Sequence, residues 1–119
     1  MGSGTEASGI FSTAMGEGTI ASGGNSTAMG VGTTASGFYS TAMGRSTEAS
    51  GNGSTAMGAS TTASDYGSLV IGQYNSSGSS ATSADSFNTA NTAFVIGNGT
   101  GTGEDASDAF KVMFNGDTY

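Results

Sequence analysis

The sequence predicts an all-β fold, a parallel β-roll whose coils are each 14 residues long. The pentapeptide S-T-A-M-G recurs at this period, and S-L-V-I-G continues its register once more. The five copies begin at Ser12, Ser26, Ser40, Ser54 and Ser68. A second motif, T-x-A-S, follows each S-T-A-M-G at a constant distance. Self-similarity at a fixed short period is the signature of a solenoid, in which each repeat is stable only when stacked on its neighbours.

Each coil is predicted to hold two short strands rather than helices. The period is too short for two helices with their turns, and the glycines would break a helix. We therefore predict that S-T-A-M forms one strand and T-x-A-S the other, with tight turns at the glycines. Stacked at about 4.8 Å, roughly six coils would form a roll about 25 to 30 Å long. Met1 and Gly2 fall on the methionine and glycine positions of the repeat, so we expect the chain to begin inside a repeat of a longer protein.

Strand alternation assigns the inside and the outside of the roll, because successive side chains point to opposite faces. So thin a roll admits only small side chains, which predicts that two rows of alanine fill it. These rows are Ala14, Ala28, Ala42 and Ala56 in the first strand, and Ala7, Ala21, Ala35, Ala49 and Ala63 in the second. The methionines then lie outside. The opposite arrangement, with methionine inside and alanine outside, is the alternative, and it would leave a smooth exterior with nothing to recognise.

The outward methionines would form an apolar stripe, which usually marks an interface. A self-complementary homo-oligomer buries such a stripe with the fewest assumptions, and three rolls around an axis would share a core that one thin roll cannot build. The stripe therefore predicts a homo-oligomer, and three rolls around an axis are one arrangement that would bury it. The predicted interface residues are Met15, Met29, Met43, Met57, Ile71 and Ile96. Met1 would extend this stripe by one coil.

Composition and charge exclude several classes of partner. The chain is 34% hydrophobic with 22 glycines, which would also fit a disordered Gly/Ser-rich linker, but linkers drift in spacing and these registers agree. A formal charge of −7, with Arg45 and Lys111 the only basic residues, argues against nucleic acid and anionic membranes as partners. No apolar run approaches the ~20 residues of a membrane-spanning helix.

The residues that could carry chemistry do not predict an enzyme or a cofactor. The sequence has neither histidine nor cysteine, so its serines and threonines have no imidazole base to activate them. Glu104, Asp105 and Asp108 are a candidate Ca²⁺ site through oxygen ligands, and a solvated acidic turn is the alternative. The stretch G-N-G-T-G-T-G at 97–103 lacks the lysine and the helix of a phosphate loop.

Aromatic residues recur at the second turn of alternate coils. Ile10 belongs to the same set, and the candidate ligand contacts are Phe11, Phe38, Tyr39 and Tyr66. Aromatic side chains in the turns of a rigid scaffold are common binding contacts, and packing on a neighbouring subunit is the alternative. Threonine rows suggest an ice-binding solenoid as another class. However, the row Thr13, Thr27, Thr41 and Thr55 shares its face with methionine, and the outward row of the other strand contains Glu6 and Glu48.

The period ends before the C-terminus. The segment 73–93 is predicted to be an irregular loop or a subunit-crossing segment between the roll, 1–72, and a terminal coil with a hairpin, 94–119. Within that last part, Phe94-Val95-Ile96-Gly97 resumes the register. Alternation puts Phe110, Val112 and Phe114 on one face, and Asn115-Gly116 predicts a hairpin turn whose return strand we expect after Tyr119.

The unit S-T-A-M-G-x-x-T-x-A-S-G resembles the head repeat of the trimeric autotransporter adhesins, the YadA-like family, over residues 1–72. The resemblance implies a left-handed parallel β-roll that forms an intertwined homotrimer. It further implies a location outside the cell, at a bacterial surface, with outer-membrane anchoring in the full-length protein but no membrane insertion by this part. The implied activity is adhesion to an unidentified surface ligand such as a matrix protein, a glycan or another cell.

The ending D-A-S-D-A-F-K-V-M-F-N-G-D-T-Y at 105–119 resembles one found both in surface adhesins and in phage tail-fibre-like proteins. Many relatives carry a basic residue before S-D-A-F, where this chain has Ala106. Because this ending is shared with tail-fibre-like proteins, a segment of a trimeric tail fibre, located in a virion tail, is the alternative function. An ice-binding solenoid is a third class.

Overall fold

The computed structural model describes residues 2–119, which form a flat roll of two facing β-sheets. Met1, with its predicted place in the methionine stripe, lies outside the described residues. The molecule measures 39 × 30 × 16 Å, and its thinnest dimension leaves room for a single layer of small side chains between the sheets. There is no α-helix in the described part of the chain, and the predicted all-β solenoid is confirmed, with about five coils.

The first sheet contains eight strands and the second contains five. Strands of the first sheet, in spatial order, are β1 (Gly2–Ser3), β3 (Thr13–Glu17), β5 (Thr27–Val31), β7 (Thr41–Arg45), β9 (Thr55–Ala59), β11 (Leu69–Gln73), β12 (Thr92–Asn98) and β13 (Asp108–Met113). Strands of the second sheet are β2 (Glu6–Ala7), β4 (Ile20–Ala21), β6 (Thr34–Ala35), β8 (Glu48–Ala49) and β10 (Thr62–Ala63). All neighbours pair in parallel except β12 and β13, which are antiparallel.

The strand bounds differ slightly from the predicted ones. The pentapeptide strands begin at threonine and run past the glycine, because the preceding serine belongs to the turn. In the second coil, the hydroxyl of Ser26 donates a hydrogen bond of 2.7 Å to the carbonyl oxygen of Gly23, which closes that turn locally. The strands of the second sheet contain only the variable residue and the alanine.

Each coil stacks like residue on like residue. Met15 pairs with Met29, Met29 with Met43, and the alanines beside them pair in the same register. After the loop, the register resumes as predicted, since Val70 pairs with Val95 and Ile71 with Ile96. A period of 14 residues therefore fixes the pairing as well as the fold.

The core confirms that alanine lies inside. Buried apolar residues are Ala14, Ala21, Ala28, Ala35, Ala42, Ala49, Ala56, Ala63, Val70 and Val95. Ala7, in the first described coil, is exposed instead. The alternative arrangement is wrong, because Met15 is 40% exposed and the methionines of the next three coils are half-buried on the outer face. Threonine and serine complete the interior, where Thr33 and Ser40 are almost fully buried.

Two columns of glycine permit the close stacking of coils. Gly30 has a φ of 117°, and a Cβ atom built on it would lie 2.0 Å from the carbonyl oxygen of Gly44 in the next coil. The second column has glycine in four coils and Asp65 in the fifth. A side chain fits at Asp65 because no further strand of the second sheet stacks beyond β10.

The loop after β11 folds back on the last coil of its own chain. The Asp65 carboxylate is buried and accepts hydrogen bonds from the backbone N–H groups of Thr82 (2.6 Å), Ser83 (3.2 Å) and Thr92 (2.7 Å). The side-chain amide of Asn75 bonds both the N–H and the carbonyl oxygen of Thr62 at 2.9 Å. The Asn75 amide therefore occupies the hydrogen-bonding position that a further strand beside β10 would take.

The C-terminal hairpin is more complete than the sequence predicted. Gly116, with φ of 94°, turns the chain, and the backbones of Lys111 and Tyr119 then exchange two hydrogen bonds of 3.1 and 2.7 Å. The expectation of a return strand only after Tyr119 is therefore wrong, since pairing begins within the last three residues. Phe114 lies beyond the end of β13 and packs edge-on against Phe87, with 5.1 Å between ring centroids.

Candidate functional site

The outer face of the first sheet carries a continuous apolar row, which we call the methionine face. It contains the predicted interface residues Met15, Met29, Met43, Met57, Ile71 and Ile96, stacked in register along the roll. Parallel in-register pairing places each of them directly beside the next coil's equivalent. All of them are half-buried except Met15, which is exposed.

The structure extends this face with larger residues that sequence reasoning did not include. Leu69, Phe94, Phe110 and Val112 lie on it, because Phe94 pairs with Val112 and Ile96 with Phe110 across the antiparallel β12–β13 pair. The rings of Phe94 and Phe110 pack at 6.1 Å between centroids. Predicting that β13 pairs antiparallel with β12 would have identified Phe110 and Val112 as part of this face. The methionine row and the residues that extend it contain no charged side chain, so apolar contact is the chemistry that this row offers. The paired column two positions further along the same strands contains Glu17 and Arg45.

A second surface lies on the edge of the roll formed by the second turns. We call it the aromatic turn strip, and it consists of Ile10, Phe11, Phe38, Tyr39 and Tyr66. Phe11 is 83% exposed and Tyr39 is 70% exposed. The rings of Phe38 and Tyr39 are tilted, with centroids 6.5 Å apart, and the Phe38 ring lies directly over Gly24 of the preceding coil.

The backbone of this strip is unusual for aromatic residues. Phe11 and Tyr39 have φ angles of 58° and 59°, in the left-handed region that favours glycine and asparagine. Other coils place Asn25, Gly53 and Gly67 at the same position. The two aromatic residues therefore adopt a conformation that the rest of the repeat assigns to residues better suited to it.

The candidate calcium ligands are not gathered into a site. Glu104 and Asp105 lie in a short 3₁₀ turn, Gly103–Asp105, and within residues 2–119 no group of three acidic residues is placed to hold a metal ion. Asp108 instead accepts hydrogen bonds from the N–H groups of Ser76 (2.7 Å) and Ser77 (2.9 Å). Burial raises the pKa of Asp108, but the hydrogen bonds from these two serines outweigh it and hold the pKa below its ordinary value.

Two cavities lie beside the loop, the first where it meets the hairpin and the second where it meets β10 and the 3₁₀ turn. The first, about 370 Å³, is lined in part by Ser76, Asp108, Lys111 and Tyr119. The Lys111 ammonium lies 4.4 Å from the centroid of the Tyr119 ring. The second, about 320 Å³, is lined by small polar residues around Tyr74. Neither brings a serine hydroxyl to an imidazole base, because the sequence contains no histidine.

Comparison with protein families decides which repeat this is. A family profile described as the YadA head domain repeat, in two copies, matches residues 1–19, 7–33, 21–47, 35–61 and 49–75. The chain belongs to the YadA head family. The overlapping matches cover every coil of the head and end at the Asn75 amide that pairs with β10. Among curated proteins and solved structures there is no significant match.

The YadA head repeat accounts for the methionine and alanine rows together, since both recur in each matched unit. The hairpin that begins at Asp108 lies after the matched residues. No helix within residues 2–119 of this head combines the length and the hydropathy that crossing a membrane requires.

Proposed function

We propose that this chain is the head of a trimeric adhesin at a bacterial cell surface, and that three copies bury their methionine faces against one another. The head is non-catalytic in this proposal and acts by presenting a rigid, three-fold surface for attachment to host or other surfaces. The methionine face is the observation that carries the proposal. An uncharged apolar row over six coils is unfavourable in water and is typical of an interface.

The energetics support assembly. Burying the exposed part of one methionine or isoleucine of the face gains roughly 1 kcal/mol, since full burial of such a side chain gains about 1.5–3 kcal/mol. The core of a single chain consists mainly of alanine, which contributes little per residue. The shared apolar layer would therefore supply stability that one 16 Å thick roll lacks.

Each part of the chain has a role in this proposal. Residues 1–72 form the attachment head, 73–93 connect it within or across subunits, and 94–119 lead into a following module. Three copies around one axis would multiply weak contacts with a ligand-coated surface. The full-length protein would be anchored in the outer membrane, and a trimeric phage tail fibre is the alternative parent, because it would use the same interface.

Charge placed on the methionine face tests the interface. The double variant Met29→Asp, Met43→Asp should dissociate or unfold the assembly, because each carboxylate would be buried three times over. The control is Ser22→Asp, Ser36→Asp, which places the same charges in adjacent coils at exposed positions just after β4 and β6. Sedimentation of both variants at micromolar concentration gives the result. A trimer that survives the methionine variant would refute the interface.

Attachment is measured separately from assembly. Beads coated with the wild-type chain should bind bacterial or host-cell surfaces, and beads coated with the dissociated methionine variant should bind less because three-fold avidity is lost. Equal retention of both kinds of bead would contradict a role for the trimer in attachment. Recovery of the full-length protein in the outer-membrane fraction supports the adhesin, whereas recovery in virions supports the tail fibre.

A further inference from the structure

The aromatic turn strip has a chemistry distinct from that of the methionine face. Its composition alternates along the roll. The second turn of the first, third and fifth coils contains aromatic residues, and the second turn of the coils between them contains Gly24-Asn25 or Asn52-Gly53. The strip contains no charged residue, although the chain as a whole has a formal charge of −7. A neutral surface of rings and amides on an acidic protein favours a neutral partner over a charged one.

The fold gains little from the aromatic residues at these positions. Phe11 and Tyr39 are exposed and adopt left-handed backbone conformations, which are unfavourable for bulky side chains. Asn25 shows that the same turn forms with a residue that tolerates this conformation. Strain retained at exposed aromatic residues is typical of functional sites rather than of packing.

The size of the strip favours a narrow ligand over a folded protein partner. With roughly 200 Å² for each large side chain, its five residues together expose about 640 Å². A protein interface of standard size buries about 800 Å² on each partner. The strip is also only one turn wide, so it fits a linear chain that runs along the roll.

The spacing of the strip matches a sugar chain. Successive coils rise by about 4.8 Å, close to the advance of one pyranose ring in an extended β-linked glycan. Aromatic turns in alternate coils then repeat with every second sugar. The turns are held rigidly, since the N–H groups of Asn25 and Tyr39 donate to the carbonyl oxygens of Ile10 (2.7 Å) and Gly24 (2.8 Å).

We propose that the aromatic turn strip binds a neutral, extended β-linked polysaccharide, whose apolar pyranose faces stack on the rings of Phe11, Phe38 and Tyr39. The side-chain amides of Asn25 and Asn52 lie on the turns between and bond the sugar hydroxyls. Asn52 Oδ1 already accepts from the Phe38 N–H at 3.0 Å, which leaves its amide N–H groups for the ligand. The inference rests on the proposed attachment function for its setting, but a single roll forms the whole strip.

The chain itself supplies the test variant. Phe11→Asn, Tyr39→Asn copies the turn of Asn25, so it removes two rings and keeps the backbone conformation. The control is Ser46→Asn, at the left-handed position of the first turn on the other edge. Calorimetric titration with cellohexaose and chitohexaose should show binding by the wild type and the control, and at least tenfold weaker binding by the double variant. The double variant should melt at the same temperature as the wild type or higher.

The outcomes separate this proposal from the trimer. Binding of neither oligosaccharide by the wild type, or equal binding by the double variant, overturns the glycan site. Preferential binding of heparin, an anionic glycan, overturns the neutral ligand class. The remaining alternative is that the strip packs between subunits. Sedimentation of the same samples tests it, since dissociation of the double variant would show that the strip is a subunit contact and would overturn the glycan site. A trimer that binds no glycan leaves the attachment function standing and refutes only this inference.

Discussion

Restoring the repeat's own residue at Asp65 should destabilise the protein. Asp65→Gly returns the turn to the glycine of the four preceding coils, which comparison of the repeats alone would rate as neutral. In the structure, however, the Asp65 carboxylate is the acceptor for three backbone N–H groups at 2.6, 3.2 and 2.7 Å. A buried donor left without a partner costs about 1–3 kcal/mol. The loop can open to hydrate some of them, so we expect a loss of about 3 kcal/mol.

Amide hydrogen exchange and urea denaturation measure this loss. A change of about 3 kcal/mol corresponds to roughly a hundredfold faster exchange at Thr82 and Thr92. The control is Asp85→Gly, which removes an exposed carboxylate from the same loop and should change stability by less than about 0.5 kcal/mol. Equal protection of the loop in Asp65→Gly and wild type would show that the carboxylate does not hold it.

Other predictions concern pH, stacking and the polar interior. The pKa of Asp108 is lowered in the folded protein, so its carboxylate contributes its full stability at pH values above the ordinary pKa of 3.8. Its contact with Ser76 should be lost only as the pH falls through the lower pKa of the folded state. Amide hydrogen exchange measured against pH should show this loss in the wild type and not in Asp108→Asn. Gly30→Ala should cost more than about 3 kcal/mol in denaturant unfolding, because its Cβ would overlap the next coil, and a smaller loss would contradict the stacking. Thr33→Val should increase the free energy of unfolding by about 1 kcal/mol and so raise the melting temperature. The reason is that the buried Thr33 hydroxyl has no hydrogen-bond partner among the described residues. A lower melting temperature would contradict this reasoning.

The regular part of the fold could be predicted because period and alternation suffice for it. A constant spacing fixes the in-register pairing of Met29 with Met43, and alternation then places Ala28 inside. Both inferences use only local geometry repeated many times. The resumed register at Ile96 was predictable for the same reason.

The irregular part could not be predicted because its contacts are neither periodic nor local. Asp65 was visible in the sequence as the one departure from a column of glycines. Its role depends on a loop 17 residues later that the repeat does not encode. Glu104 and Asp108 are close in sequence, but Asp108 lies with Ser76, 32 residues away. The return of the chain after Gly116 involves three residues, too few to show alternation.

The mass of the folded assembly tests the central claim most directly, namely that the methionine face lies between three copies of the chain. Sedimentation equilibrium of the wild-type chain at micromolar concentration should give three times the chain mass of 11.5 kDa, with circular dichroism confirming β-structure in the same sample. A folded species of 11.5 kDa would contradict the account, because its methionine face would then remain in water.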